Sequence, residues 1–499
     1  MRSLFRRTLG AAFALLALAA STSAVSAAVY IPTKTSDGAD GACNADCSLR
    51  EAVLAANNHA GDDVILLRAG VYLLSIAGNE NLGAAGDLDI QDNLILLGAG
   101  AAGTIIDGGG IDRIFQVPGG LTLELRDVTL RNGRATGAGG AILNEGELTI
   151  VRSVLSGNST VLGPDGAGFG GAILTDGNGS SLLVTESTLA SNTAQGGGGA
   201  VAIGGQANLE NVTITGNRSL ADLGGGLYVF TDARAVVNNA TIVGNTAALQ
   251  GGGIAAELTA FIGIAPKVTN SIIAGNTAPT HPDCSGDVNS AYDLIGNGTG
   301  CLGPSAAKHD IVGVAPAVID AKLGALTQNG GPVPTRALLA GSPAINAGNP
   351  ATPGSGGNAC AAIDQRGAAR PAGGRCDIGA FEVTTACVAG GNTVCLNHGR
   401  FKVTATWRRG NTTSPAQGVT LSDESGYFYF AAQGNLEVTV KVLNGCGNNG
   451  YYWVFAGGMT NLRVDITVTD TQTGATKTYV NPRGQPFRTV RDTSAFACQ

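Results

Sequence analysis

Apolar and polar positions alternate in short bursts along the middle of the chain, and the bursts recur. "LTIVRSVLSGN" ends at Asn158, "LLVTESTLASN" at Asn192 and "ANLENVTITGN" at Asn217. "NATIVGN" and "NSIIAGN" end at Asn245 and Asn276, so these asparagines advance by 34, 25, 28 and 31 residues. Glycine pairs precede the bursts at Gly139-Gly140, Gly170-Gly171, Gly198-Gly199, Gly225-Gly226 and Gly252-Gly253, advancing by 31, 28, 27 and 27. A degenerate earlier unit, "LTLELRDVTLRNG", covers residues 121–133. Each unit predicts two or three short strands separated by turns, and no sustained 3.6-residue period supports helices. A period this long built from strands predicts a solenoid, physically a parallel β-helix with coils stacked at about 4.8 Å. The repeated residues then have architectural reasons. Glycine pairs supply positive φ and close backbone approach at a corner, inward Ile, Leu and Val stack from coil to coil, and Asn158, Asn192, Asn217, Asn245 and Asn276 can bond amide to amide as a ladder.

A β-helix exposes unpaired backbone and apolar side chains at its ends, so its terminal units need caps. The stretch "GACNADCSLREAVLAANNHAG", residues 41–61, fits that task. Ser48 and Glu51 have capping-box spacing, and Leu49, Val53 and Ala56 share one face of the helix that follows. A Cys43–Cys47 bond would pin its entrance. A metal site would need further ligands nearby, and a catalytic thiol would be oxidised by its neighbour. "DDVILLRAGVYLL" supplies the first strands, so residues 29–95 read as the cap with the first coils and 96–305 as the repeats. Residues 306–386 read as a distal cap.

From Cys387 the glycine pairs give way to aromatic alternation. Phe401, Val403, Ala405 and Trp407 share a face, as do Leu462, Val464, Ile466 and Val468, with a turn near Thr473-Gly474. Residues 387–499 therefore predict a separate antiparallel β-sandwich. Trp407, Tyr451, Tyr452 and Trp453 are candidates for stacking on sugars, or else belong to that sandwich's core.

Residues 1–28 carry Arg2, Arg6 and Arg7, an apolar run from Ala11 to Ala20, and Ser26-Ala27-Ala28, the pattern of a secretory signal peptide cut after Ala27 or Ala28. Thr8-Leu9-Gly10 completes a twin-arginine signal poorly. Without the leader the chain holds 27 basic and 37 acidic residues, a net charge near −10, which disfavours nucleic acid and anionic membranes as partners. No later stretch is long and apolar enough for a membrane span. Ten cysteines in an exported chain favour disulfides. Neighbouring pairs would be Cys43–Cys47, Cys284–Cys301, Cys360–Cys376 and Cys387–Cys395, leaving Cys446–Cys498. The four histidines show no metal-ligand spacing with cysteine.

"CSLREA", "GDLDI" (86–90), "TIIDGGG" (104–110), the "GGAI … LSGN" units, "LTQNGGPVPTRALLAGSPAINAG" (326–348), "DQRG" (364–367) and "CDIGAFE" (376–382) occur in that order. Together they resemble secreted bacterial β-helix proteins named for the CSLREA motif, whose distal part is called a choice-of-anchor Q domain. The resemblance covers roughly residues 29–383. The GGAI and L-x-x-N units are also similar to the repeats of polymorphic outer-membrane adhesins. What this implies is a right-handed, pectin-lyase-like β-helix on an exported or surface protein, with no established reaction. Asn346 stands where the family more usually has aspartate, which removes one carboxylate. "CLNHGRF", "GYFYF" and "YYWVFAGGMTNL" resemble a C-terminal module of assorted secreted bacterial proteins.

β-Helices often cleave acidic glycans, which requires a calcium-binding acid cluster with a basic proton acceptor, or paired carboxylates. Asp87 and Asp89 alternate on a strand and project to one face. Asp107, Asp112 with Arg113, and Arg126 with Asp127 lie on successive coils and are candidates for the same groove. The G-H-G signature of polygalacturonase-like enzymes, G-x-S-x-G and H-E-x-x-H are all missing. "DGNGSS" (176–181) resembles a calcium-binding turn only loosely, so no cofactor and no metal are expected, with calcium the one candidate. The reading favoured by the sequence is an exported, non-catalytic surface or extracellular protein, adhesin-like or polysaccharide-binding. The alternative is a polysaccharide lyase or glycoside hydrolase acting on an acidic glycan. A spacer displaying the C-terminal module is a third possibility.

Overall fold

A computed structural model describes residues 27–498 apart from 79, 165, 258–263, 340, 373, 384–386, 388, 398 and 472–474. Most of the expected leader, the turn at Thr473-Gly474 and His398 lie outside the described residues.

The solenoid is built from four parallel sheets that the chain visits in turn. Sheet I runs from Val29–Tyr30 through Asp63–Leu67, Glu147–Val151 and Ser181–Thr185 to Asn289–Ala291; sheet II runs from Gly70–Leu73 through Val154–Ser156 to Ile311–Val312. Sheet III is shorter, from Arg134–Thr136 to Thr246–Ala247, and sheet IV runs from Leu88–Asp89 through Ile142–Asn144 and Leu227–Val229 to Cys301–Leu302. A single coil passes through Ile142–Asn144, Glu147–Val151, Val154–Ser156 and Ser159–Val161, then Ile173–Thr175 begins the next coil on sheet IV, in register with Ile142–Asn144. The fold is a parallel β-helix. Its core is a stack of like on like: Leu155, Leu189, Ile214, Ile242 and Ile273 point inward from sheet II, and all are fully buried.

The glycine repeat closes the corner that enters sheet IV. Gly139, Gly170, Gly198, Gly224 and Gly251 take φ between +63° and +72°. The glycine after each has no room for a side chain: a Cβ on Gly171 would stand 2.2 Å from Gly199 O, and one on Gly199 would stand 2.1 Å from Gly225 O. Equivalent pairs are therefore Gly224-Gly225 and Gly251-Gly252, one residue earlier than the spacing suggested. Gly226 and Gly253 occupy the position that Ala141, Ala172 and Ala200 hold in other coils, since Ala200 donates to the carbonyl of Gly226. A run of three glycines hides its own register.

The helix Leu49–Asn57 covers the first coils. Ser48 Oγ accepts the Glu51 N–H at 3.1 Å while the Ser48 N–H reaches Glu51 Oε2 at 2.7 Å. Leu49, Val53 and Ala56 are buried, and so is Arg50. Its guanidinium pairs with Asp37 at 2.9 Å and donates to the carbonyls of Gly83, Gly86 and Asp87, so the cap is tied to the loop that follows the first coil.

Beyond Ile311–Val312 the chain returns along the outside of sheet II. Gln365 Nε2 donates to Ser187 O at 2.9 Å and its Oε1 accepts from Thr213 at 2.6 Å, and the Ala380 N–H reaches Thr241 Oγ1 at 2.9 Å. Ala321, Leu338, Ala344 and Ile378 pack on Val243, Ile272, Ala274 and Leu294. The strand residues explain the path. Thr188–Ala190, Thr213–Thr215, Thr241–Val243 and Ile272–Ala274 are buried on both faces, whereas Thr129–Arg131 and Val154–Ser156 keep an open outer face.

The last segment forms two five-stranded antiparallel sheets. Phe401, Val403, Val464 and Ile466 on one meet Phe428, Val440, Val454 and Phe496 on the other, making a second core. The ten cysteines form five disulfides: Cys43–Cys47, Cys284–Cys301, Cys360–Cys376, Cys387–Cys395 and Cys446–Cys498.

Candidate functional site

The outer face of sheet IV carries one residue per coil in a continuous row: Asp89, Gln116, Leu143, Leu174, Ala202 and Tyr228 stand in register. Between the coils of Leu174 and Tyr228 lie Gly196 to Gly199, which add no side chains of their own. Two aromatics close over this gap. A Cβ on Gly197 would lie 2.7 Å from the Tyr228 ring, and one on Gly196 would lie 3.4 Å from Phe169. Phe169 and Tyr228 stack with centroids 5.9 Å apart, and Phe230 meets them at 5.2 and 4.7 Å. Phe169 and Phe230, both half-buried, line a groove of about 610 Å³ as its aromatic floor, and Tyr228 is buried behind them as their support.

Carboxylates surround that floor. Glu257 accepts from the Tyr228 hydroxyl, and from the Thr231 hydroxyl and N–H at 2.6 and 3.1 Å. Partial burial alone would raise its pKa, but these bonds, chiefly from Thr231 and Tyr228, hold the carboxyl below its usual range. Glu145, Asp176 and Asp232 line the same groove and are exposed. Aromatic rings beside fixed acceptors suit a ligand with an apolar face and hydroxyl or ammonium edges. The sequence reading missed Phe169, Tyr228 and Phe230. The signal was there in "GFGG", "GLYVF" and the bare "GGGG" between them, but only stacking brings them together.

The acids nominated from sequence divide among three faces. Asp87 and Asp89 belong to sheet IV, where Asp87 Oδ2 meets Arg113 Nη1 at 3.3 Å and Arg113 also donates to Gln116 at 3.2 Å. Asp89 accepts the Gly83 N–H at 2.8 Å. Both residues are only 3% exposed, beneath the loop and cap helix. Burial, and then the negative charge of Asp87, push Asp89 up to about 7. Asp107 lies instead on sheet II, bonded to Arg131 at 2.8 Å and to Asn132 at 3.0 Å. Its burial is outweighed by those bonds, which hold its pKa low. Arg126, on sheet I, pairs with Glu124, while Asp127, at the corner after it, pairs with Arg152 at 2.6 Å. The single shared groove expected for these residues does not form, because consecutive strands of a coil point to different faces. Asp112 bonds the Arg113 N–H and stays beside Asp87 and Arg113. The "DGNGSS" turn closes on itself through Asp176 Oδ1 to the Gly177 N–H and Ser180 Oγ to Gly177 O. Among the described residues no group of three or more His, Cys, Asp or Glu is placed to hold a metal ion.

The four aromatics of the last segment also separate. Trp407 stacks on Phe430 at 4.9 Å against the sandwich core, and Tyr452 is buried beside Phe401 with the Arg400 guanidinium over its ring. Tyr451 and Trp453 alternate to the outer face of the strand Tyr451–Gly458. Trp453 lies across Gly445, and its Nε1 donates to Asn449 at 2.8 Å.

The asparagines at the corner between sheets II and III stand in line. Asn158, Asn192, Asn217 and Asn245 each donate Nδ2 to the next Oδ1 at 2.9–3.0 Å, and Asn276 donates to Asp283 at 2.9 Å. A second row, Asn211, Asn239 and Asn270, occupies the corner between sheets I and II and faces outward. Asn211 donates to Ile363 O and Asn270 to Asn358 O, both at 2.9 Å, and Asn239 accepts the Ala361 N–H at 2.8 Å. These three hold the returning chain.

No family model and no curated protein matches the chain. The resemblance to CSLREA proteins thus rests on the motifs alone. Among solved structures, the crystal structure of pectate lyase Pel9A is similar at a TM-score of 0.39 and 14% identity, over 72% of this chain and 98% of that one.

Proposed function

We propose that this is an exported, non-catalytic extracellular or surface protein that binds polysaccharide along the outer face of sheet IV. The observation that carries the reading is the aromatic floor of Phe169 and Phe230, backed by the buried Tyr228 ring and set beside the fixed carboxylate of Glu257. Sugar rings lay their apolar faces on such floors and direct hydroxyls to the rim. The exposed carboxylates repel polyuronates, so the preferred polymer is neutral or carries amino sugars. Five disulfides agree with an extracellular setting, and no described helix is long and apolar enough to cross a membrane.

Co-sedimentation with insoluble chitosan, cellulose and pectate, followed by assay of released sugars, tests this. Retention on chitosan or cellulose, lost in the Phe169→Ala, Phe230→Ala double variant and without product release, is expected. Equal retention of the folded double variant refutes the groove. An acid–base hydrolase is favoured only by the neutral-range carboxyl of Asp89 beside Asp87. Sugar release from any of these polymers that Asp89→Asn abolishes would replace the binding reading.

A further inference from the structure

A second cavity, distinct from the aromatic groove on sheet IV, lies where the returning chain crosses sheet II, and its lining includes a cation with no counter-charge. Arg336 sits on Thr335–Leu338, paired antiparallel with Leu323–Thr327. Its Nε donates to Gly324 O at 2.9 Å and one Nη1 hydrogen reaches Thr215 Oγ1 at 3.4 Å. No carboxylate among the described residues pairs with it. Partial burial without compensation pulls its pKa down, the sign of a charge lacking its partner.

The cavity in front of Arg336 holds about 650 Å³, inside the range of small-molecule sites. Val318, Ile319 and Leu323 form an apolar wall, and the bare corners at Gly244 and Gly275 with Asn297 form a polar one. Two acids also border it, and neither competes for the guanidinium. Asp283 is occupied by the Asn276 N–H, the Asn276 amide and the Asn297 N–H at 2.9, 2.9 and 2.6 Å. Asp320 is exposed and accepts the Lys322 N–H at 2.8 Å. A half-buried guanidinium is most stable when a planar anion takes two of its N–H groups. The apolar wall selects against a bare inorganic anion and for a carboxylate on a carbon ring.

We propose that Arg336 anchors the carboxylate of a sugar acid, with the pyranose ring held between the Val318–Leu323 wall and the glycine corners. The site is independent of the sheet IV groove and takes a ligand of opposite charge preference. Isothermal titration of the full chain with galacturonate and with galactose, which differ in the C6 carboxylate, tests it. Galacturonate should bind at least tenfold tighter, the preference should shrink as salt rises, and Arg336→Gln should abolish it while Arg336→Lys keeps part. Trigalacturonate binding tighter than galacturonate assigns the site to a polymer end, and equal binding assigns it to the free sugar acid. Equal affinity of the native chain for galacturonate and galactose overturns the proposal without any variant. So does an undiminished preference in a folded Arg336→Gln protein, with folding checked by thermal unfolding.

Discussion

Asn192 Nδ2 stands 2.9 Å from Asn217 Oδ1, 25 residues on in the chain and one coil on in space. The same Nδ2 donates to Leu155 O, and the Asn192 N–H also reaches the Asn217 oxygen, so each amide joins three coils. Asp283 ends the row as an acceptor with no amide to pass on.

Asn217→Ala should therefore lower stability by at least about 1–3 kcal/mol, because it strands a carbonyl and two N–H donors in a dry corner. Urea unfolding should show a lower midpoint at unchanged slope. An unchanged midpoint would mean the ladder contributes nothing.

Gly199→Ala should be worse than its size suggests. The new methyl would meet Gly225 O at 2.1 Å and the Arg218 carbonyl carbon at 2.6 Å, both backbone atoms that cannot yield without shifting a coil. A loss at or above the usual overpacking range of about 1–3 kcal/mol is expected. Gly179→Ala, with open space around it, should stay within about 0.5 kcal/mol. Thermal melts of the two variants side by side would decide the matter.

Asp89 should give the chain a distinct pH response. Its carboxyl is raised to about 7, so between the ordinary carboxyl range near pH ~4 and pH 7 the folded chain holds a proton that the unfolded chain releases. Stability then falls as pH rises through that window, by at most about 1.4 kcal/mol per pH unit, and levels off above it. Asp89→Asn removes this component. The difference between native and variant stability curves from pH 4 to 8 should slope in that window, and a flat difference would contradict the assignment.

The disulfides should differ in weight. Cys446–Cys498 spans 52 residues, so chain entropy predicts about 4 kcal/mol for its loss. Cys43–Cys47 spans 4 residues, with about 2 kcal/mol expected. Calorimetry of the two double-serine variants should rank them in that order.

By itself the sequence determined the coil, the cap and the sandwich, because each is written in local terms. Strand runs at a regular period, a capping box at Ser48–Glu51 and alternation around Phe401 and Val464 all act within a few residues or between equivalent positions. Only the tertiary structure decided which face each strand joined. Asp89 and Asp107 are close in sequence yet lie on sheets IV and II, while Phe169 and Tyr228, two coils apart, stack ring on ring. It also decided that the chain after Val312 returns along sheet II, catching Asn211, Asn239 and Asn270 and leaving Arg336 over a cavity. A period states that coils repeat; the angles of the turns between strands, summed around each coil, settle which side chains meet.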